Sequence, residues 1–230
     1  MGPLLRGIVW IALSASAAQA QHLHMLDDGA PNRGVTWPEP ADFVWLQSFE
    51  ASATGDSILQ VSLMFQAGAI PADTKIRVCV WEDPNNDLLP NDAHLVAQVS
   101  GVVPSVPVAA WVNYDFEVPA RVQGAFFLGA QLETRGAWPI LALLDTDAPH
   151  IGRAWFVAAT ATHFDPECLG DYAPATIESL GADYRGVFLL RGLSYGMSKA
   201  HQRPPFDVPL VAQTTSCALK IARGSTAARH

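Results

Sequence analysis

Trp111-Val112-Asn113-Tyr114-Asp115-Phe116-Glu117-Val118 is the stretch from which the fold is read. Val112, Tyr114, Phe116 and Val118 alternate with Asn113, Asp115 and Glu117. A period of two sends successive side chains to opposite faces of an extended chain, so the stretch predicts a β-strand with one wet and one buried face. The same rhythm appears from Lys75 to Trp81, where Ile76, Val78 and Val80 alternate with Arg77, Cys79 and Trp81. It appears again from Leu59 to Phe65, with Leu59, Val61, Leu63 and Phe65 in one phase. Less regular strands are predicted at Phe43–Phe49, Leu95–Val99, Ala125–Leu132, Pro139–Leu144, Arg153–Ala158 and Val187–Leu193. Nine short strands separated by Gly, Pro, Asn and Asp predict an all-β chain, an antiparallel, jelly-roll-like β-sandwich. Helical signal is confined to one short turn at Ala175–Leu180.

Composition agrees. Half of the 230 residues are hydrophobic and 16% are charged, which suits a packed body rather than disorder. The 17 glycines and 17 prolines suit a turn-rich chain. Charge is unevenly placed. Gln21 to Ser194 holds 8 Lys and Arg against 21 Asp and Glu, a balance of −13; Tyr195 to His230 holds 5 against 1. An acidic body lacks the cations that phosphates require, which excludes nucleic acid as a partner. Carbohydrate, a cation or a cell-surface partner fits better.

The ends are read separately. Arg6, the apolar run Gly7–Leu13 and the ending Ala18-Gln19-Ala20 have the order of a secretory signal peptide over residues 1–20. The apolar run is too short for a membrane span, and no later stretch is long enough for one. A secreted or periplasmic protein is expected, with no transmembrane segment after cleavage. Residues 21–42 read as a loose lead-in, 43–194 as the sandwich domain, and 195–230 as a basic, poorly ordered tail. Of three cysteines, Cys79 falls in a strand pattern, whereas Cys168 and Cys217 fall in loop-like sequence and are the pair able to bridge. An odd count in an oxidising compartment leaves one thiol over.

The stretch Trp81-Glu82-Asp83-Pro84-Asn85-Asn86-Asp87-Leu88-Leu89-Pro90-Asn91-Asp92 carries the clearest candidate site. Asp83, Asn85 and Asp87 are spaced two apart, and Asp92 adds a further oxygen. Alternate side chains on a tight loop converge on a hard cation, so calcium is the candidate ion. The EF-hand pattern is incomplete: Leu88 stands where a glycine is required and His94 where the bidentate glutamate belongs. Asp-Pro-Asn-Asn-Asp is also strong turn chemistry in its own right. Val78 to Asp87, continued by Pro90-Asn91-Asp92-Ala93, resembles a signature of uncharacterised secreted bacterial β-sandwich domains. Gly124–Ala130 and Gly152–Trp155 are similar to later core strands of the same domains. The resemblance covers roughly Asp56 to Arg191 and implies an extracytoplasmic sandwich with no assigned catalytic residue.

Other motifs point to enzymes or to sugar binding. Gly192-Leu193-Ser194-Tyr195-Gly196 matches the G-x-S-x-G nucleophile elbow, but no solid helix or β/α alternation surrounds it. His22 resembles the metal-binding first residue of secreted copper-dependent polysaccharide oxidases, at the cost of cleavage after Gln21. Asp145 and Asp147 form a carboxylate pair within a turn. Trp81 and Trp111 lie on the polar phase of their strands and are the candidates for stacking a sugar ring. The expectation is a secreted non-catalytic module that binds carbohydrate or a surface partner and is steadied by calcium. A secreted hydrolase or copper-dependent polysaccharide oxidase is the alternative.

Overall fold

The structure, a computed structural model, describes residues 21–134, 138–160 and 163–196. Residues 1–20, expected to be a signal peptide, and most of the basic tail, Cys217 included, lie outside the described residues. The fold is an all-β antiparallel sandwich. One sheet has the order β11 (Ala175–Thr176), β10 (Ala154–Ala159), β3 (Ala41–Glu50), β8 (Ala125–Thr134), β5 (Lys75–Glu82) and β6 (His94–Val102). Facing it is β1 (Gln21–His24), β13 (Leu190–Gly196), β4 (Asp56–Phe65) and β7 (Ala110–Val122). A smaller sheet of β12 (Val187–Phe188), β9 (Trp138–Asp145) and β2 (Arg33–Trp37) continues that second layer. Leu189 joins the two, donating its N–H to Leu143 and accepting from Met64 N. Sequence neighbours repeatedly change sheet, which gives the jelly-roll character.

The main core lies between the layers. Phe43, Trp45, Val78, Val80, Phe126, Leu128 and Phe156 from the six-stranded sheet meet Ile58, Val61, Leu63, Tyr114, Phe116 and Leu190 from the other. The phase read from Trp111–Val118 holds at Tyr114 and Phe116, both buried, while Val118 is exposed. In β4 the phase breaks. Register shifts against both neighbours around Leu59, between Ile58 and Gln60 on β7 and between Leu193 and Ser194 on β13. A bulge of this kind adds one residue and reverses the facing of everything beyond it. Ile58, not Leu59, therefore enters the core, and Asp56 turns inward with it to full burial.

Three sequence readings differ from the structure. Residues 21–42 are not a loose lead-in: β1 pairs with β13 and β2 with β9. Within the same stretch, Asp27 is buried and receives two hydrogen bonds from Arg191 Nε, at 3.0 and 3.2 Å. The second correction concerns the outer face of the six-stranded sheet, expected to be wet at Trp81. Instead Phe164 and Leu169 fold over it and build a second core with Val44, Leu46, Cys79, Trp81, Phe127 and Trp155. Phe164 and Leu169 flank and enter a 3-10 turn at Pro166–Tyr172, where the Asp165 side chain accepts from Glu167 N and the Asp165 carbonyl from Cys168 N. The helical turn expected at Ala175–Leu180 is the two-residue strand β11 followed by a 3-10 turn at Ile177–Leu180.

Candidate functional site

The polar loop joins β5 to β6. Asp83 follows the last residue of β5 and is buried. Its Oδ1 accepts from Asn86 N at 3.1 Å and its Oδ2 from Leu88 N at 2.7 Å. That pull lets two non-glycine residues hold left-handed backbone, Asn86 at φ 59° and Leu88 at φ 64°. Each ordinarily costs about 1 kcal/mol or more. Leu88 thus adopts the backbone sign that a calcium loop obtains with glycine. Asn86 Oδ1 crosses to accept from Ala125 N at 2.6 Å. It lies so close to Gly124, at φ +63°, that a Cβ there would collide with it.

Asp83, Asp87 and Asp92 each bring a carboxylate oxygen into a group spanning no more than 4.8 Å. Asn85 sits beside them and braces Asp87, accepting from its N–H at 2.9 Å and donating from Nδ2 to Oδ2 at 3.1 Å. Asp92 Oδ1 is enclosed without a hydrogen-bond partner. Desolvation, with the neighbouring Asp83 and Asp87 charges, pushes the Asp92 carboxyl above its ordinary value. The loop therefore combines turn chemistry at Asp83 with like-charge repulsion at Asp92, offset in part by the Asp92 backbone N–H and by His94.

The two tryptophans are not free platforms. Trp81 is fully buried and its Nε1 donates to the Pro166 carbonyl at 2.8 Å. Trp111 is half-buried, with the Arg191 guanidinium 4.2 Å over its ring and Met64, Leu143 and Leu189 packed alongside. Trp81 therefore presents no open face, and one face of Trp111 is covered by Arg191.

The enzyme motifs resolve in an informative way. In the β1–β13 pairing, His22 stands opposite Ser194. His24 Nε2 lies 3.0 Å from Ser194 Oγ and 3.3 Å from Asp56 Oδ2. A serine triad requires base and acid contacts on opposite ring nitrogens, with the hydroxyl open to substrate. Here one nitrogen faces both groups, Ser194 is fully buried, and its strand continues without an elbow. Asp145 is equally structural: its oxygens accept from Asp28 N, Asp147 N and Ala148 N. Cys79 is buried and unpaired, and desolvation pushes its thiol up to about 12 despite the Arg77 charge. Cys168 is disulfide-bonded.

Burial alone would raise the Asp56 carboxyl. Hydrogen bonds from His24, Ser52 N and Ser52 Oγ outweigh it and hold the group at about 2 against an ordinary 3.8. A depressed folded-state pKa stabilises the fold above the unfolded value, and that stability is lost as pH falls through the folded one. In EDTA-containing buffer, unfolding free energy is expected to drop between roughly pH 4 and pH 2. Asp56→Asn lacks that component of the acid limb, which urea titrations at stepped pH would measure.

A shallow cleft of about 500 Å³ opens elsewhere, lined by Asn32, Arg33, Thr146, Ile151, Asp183 and Arg185 among others. Arg33 pairs with Asp183 at 3.3 Å and lies 4.5 Å over the Tyr184 ring. Its Nε is buried without a partner. Asn32 Oδ1 accepts from Thr146 N at 2.7 Å and ties the two walls together. Sequence reasoning missed this cleft, because its residues come from three distant segments and form no motif.

No family model and no curated protein matches the chain. Among solved structures it is similar to the clostridial cysteine protease Cwp84 after propeptide cleavage, with TM-score 0.53 and 12% identity over 77% of this chain and 40% of that one. It is also similar to a structure of the cysteine protease and lectin-like domains of Cwp84, a surface layer associated protein of Clostridium difficile. There the TM-score is 0.54, with 12% identity over 77% of this chain and 36% of that one. The chain thus spans well under half the length of these matches, and at such identity they show the fold alone. No helix among the described residues is long and apolar enough to cross a membrane.

Proposed function

We propose that this chain is a secreted or periplasmic, lectin-like, non-catalytic module that binds carbohydrate of a cell surface. The observation that carries the reading is the state of its nucleophiles. The similar structures include both a cysteine protease and a lectin-like domain. Cys79 is sealed in the second core, Cys168 is bridged, and Ser194 is buried. An all-β body with those groups withdrawn fits the lectin-like part.

The cleft at Arg33 is the proposed sugar site. Its lining alternates a guanidinium, a carboxylate and an amide, groups that hydrogen-bond hydroxyls, with the exposed Ile151 as an apolar contact. The buried, unpartnered Arg33 Nε supports this, since a donor in that state favours a ligand oxygen. Calcium at Asp83, Asp87 and Asp92 is proposed to steady the β5–β6 loop, supported by the enclosed Asp92 oxygen.

Glycan-array binding by the full chain, compared with Arg33→Ala and Asp183→Ala, tests the sugar reading. Wild-type binding to at least one glycan, lost in Arg33→Ala, is expected. No binding to any glycan sinks it. Thermal unfolding with calcium and with EGTA tests the ion: a midpoint raised by calcium in wild type but not in Asp87→Ala is expected. Equal midpoints would remove calcium.

A further inference from the structure

The geometry points to a second metal site, for a borderline divalent ion such as Zn²⁺, held by His22, His24 and Asp56 where β1 and the start of β4 flank β13. Nδ1 of His22 and Nε2 of His24 both face Asp56 Oδ2, at 3.7 and 3.3 Å. The three donor atoms lie within 4.8 Å of one another. Metal–ligand bonds of about 2.0–2.2 Å in a tetrahedral site place donor atoms about 3.3–3.6 Å apart. The observed separations are close to those edges. Two imidazoles and one carboxylate form a donor set that suits Zn²⁺ rather than Ca²⁺. This separates the site from the all-oxygen loop at Asp83.

Three independent features build the site. First, Asp56 is fully buried, and its ion-pair contacts among the described residues are the two histidines, neither of which carries a permanent charge. A buried carboxylate is stabilised by a nearby cation, and no Lys or Arg pairs with Asp56 among the described residues. Second, the donors are oriented from behind. Ser52 N and Oγ each donate to Asp56 at 3.0 Å, and the His24 ring stands edge-on against Phe49 and Phe126. Such outer contacts fix the ligands of metal sites. Third, the bulge at Leu59, where β4 shifts register against both β7 and β13, is what turns Asp56 inward beside this spot. Entry is open on one side, because the His22 side chain is 52% exposed. Ser194 Oγ, 3.0 Å from His24 Nε2, is placed to hydrogen-bond a water in the remaining coordination position.

Cobalt is the spectroscopic stand-in for zinc, since its d–d absorption reports coordination number. Titrating the purified full chain with Co²⁺ is expected to give a saturable visible band at one equivalent, displaced by Zn²⁺. His22→Ala changes a half-exposed side chain at a sheet edge, so the fold is not at risk; Zn²⁺ affinity is expected to fall at least about tenfold. Asp87→Ala, in the acidic loop, is expected to leave the cobalt band unchanged. No cobalt band at saturating metal, or a His22→Ala variant that binds Zn²⁺ as tightly as wild type, would overturn the assignment.

Discussion

Asp27→Ala is expected to destabilise the fold by about 3–5 kcal/mol, the range for breaking a buried ion pair by removing one partner. Asp27 is fully buried and the Arg191 side chain is 19% exposed, so the pair is largely shielded from water. Arg191 donates through both Nε and Nη2, and its plane is held over Trp111. Truncation leaves the guanidinium oriented but uncompensated. The control is the double variant Asp27→Ala with Arg191→Met, which removes both charges and keeps the packing on Trp111. It is expected to recover more than half of the loss, as measured by urea unfolding. If the single and double variants are equally unstable, the charge is not the cause and lost packing is. Because whole-domain stability is about 5–15 kcal/mol, the single variant should approach the threshold for folding at 37 °C.

Trp81→Ala is the other large effect, expected at about 3–5 kcal/mol. The ring is enclosed by the second core, and its Nε1 satisfies the Pro166 carbonyl. Removing it opens a cavity and orphans that carbonyl together. Trp81→Phe keeps most of the volume and should cost about 1–3 kcal/mol, chiefly the unmade hydrogen bond. The outcome discriminates between a ligand-stacking tryptophan and a structural one. A surface platform would tolerate alanine and lose binding; Trp81 should lose the fold first. Denaturation midpoints of the two variants, read against the Arg33→Ala variant, supply the comparison.

How far the sequence carries can be judged residue by residue. The nine strands were legible because period-two alternation is local and depends on no distant partner. At Tyr114 and Phe116 the predicted inward phase is the observed one. Leu59 and Ile58 exchange roles because a bulge is a property of the pairing, and nothing in Ser57-Ile58-Leu59-Gln60 announces it. Alternation places Trp81 on a wet face only if the second side of the sheet meets water. The cover comes from Phe164 and Leu169, in sequence that reads as loop. Gln21–His24 and Arg33–Trp37 went unread as strands because they are short, and each is fixed by a partner more than a hundred residues away. The same division runs through the sites. The convergence of Asp83, Asp87 and Asp92 follows from spacing along one loop, so sequence finds it. His22, His24 and Asp56 meet only because β1 and β4 both flank β13, and no spacing rule encodes that. Ser194 and His22, each singled out by a motif, are brought opposite one another by the β1–β13 pairing.

The pairing of β1 with β13 has a consequence for the order of folding. His24 and Ser194, in contact, are 170 residues apart along the chain. Closing so long a loop is among the costliest contacts in entropy and among the slowest to form. The β3–β8–β5 centre of the large sheet can assemble while the first strand is still unattached, and β1 then closes the sheet edge as a clasp. Asp56, Ser194 and the two histidines sit beneath that clasp. A chain in which β1 has not yet paired with β13 would hold Asp56 without its imidazoles.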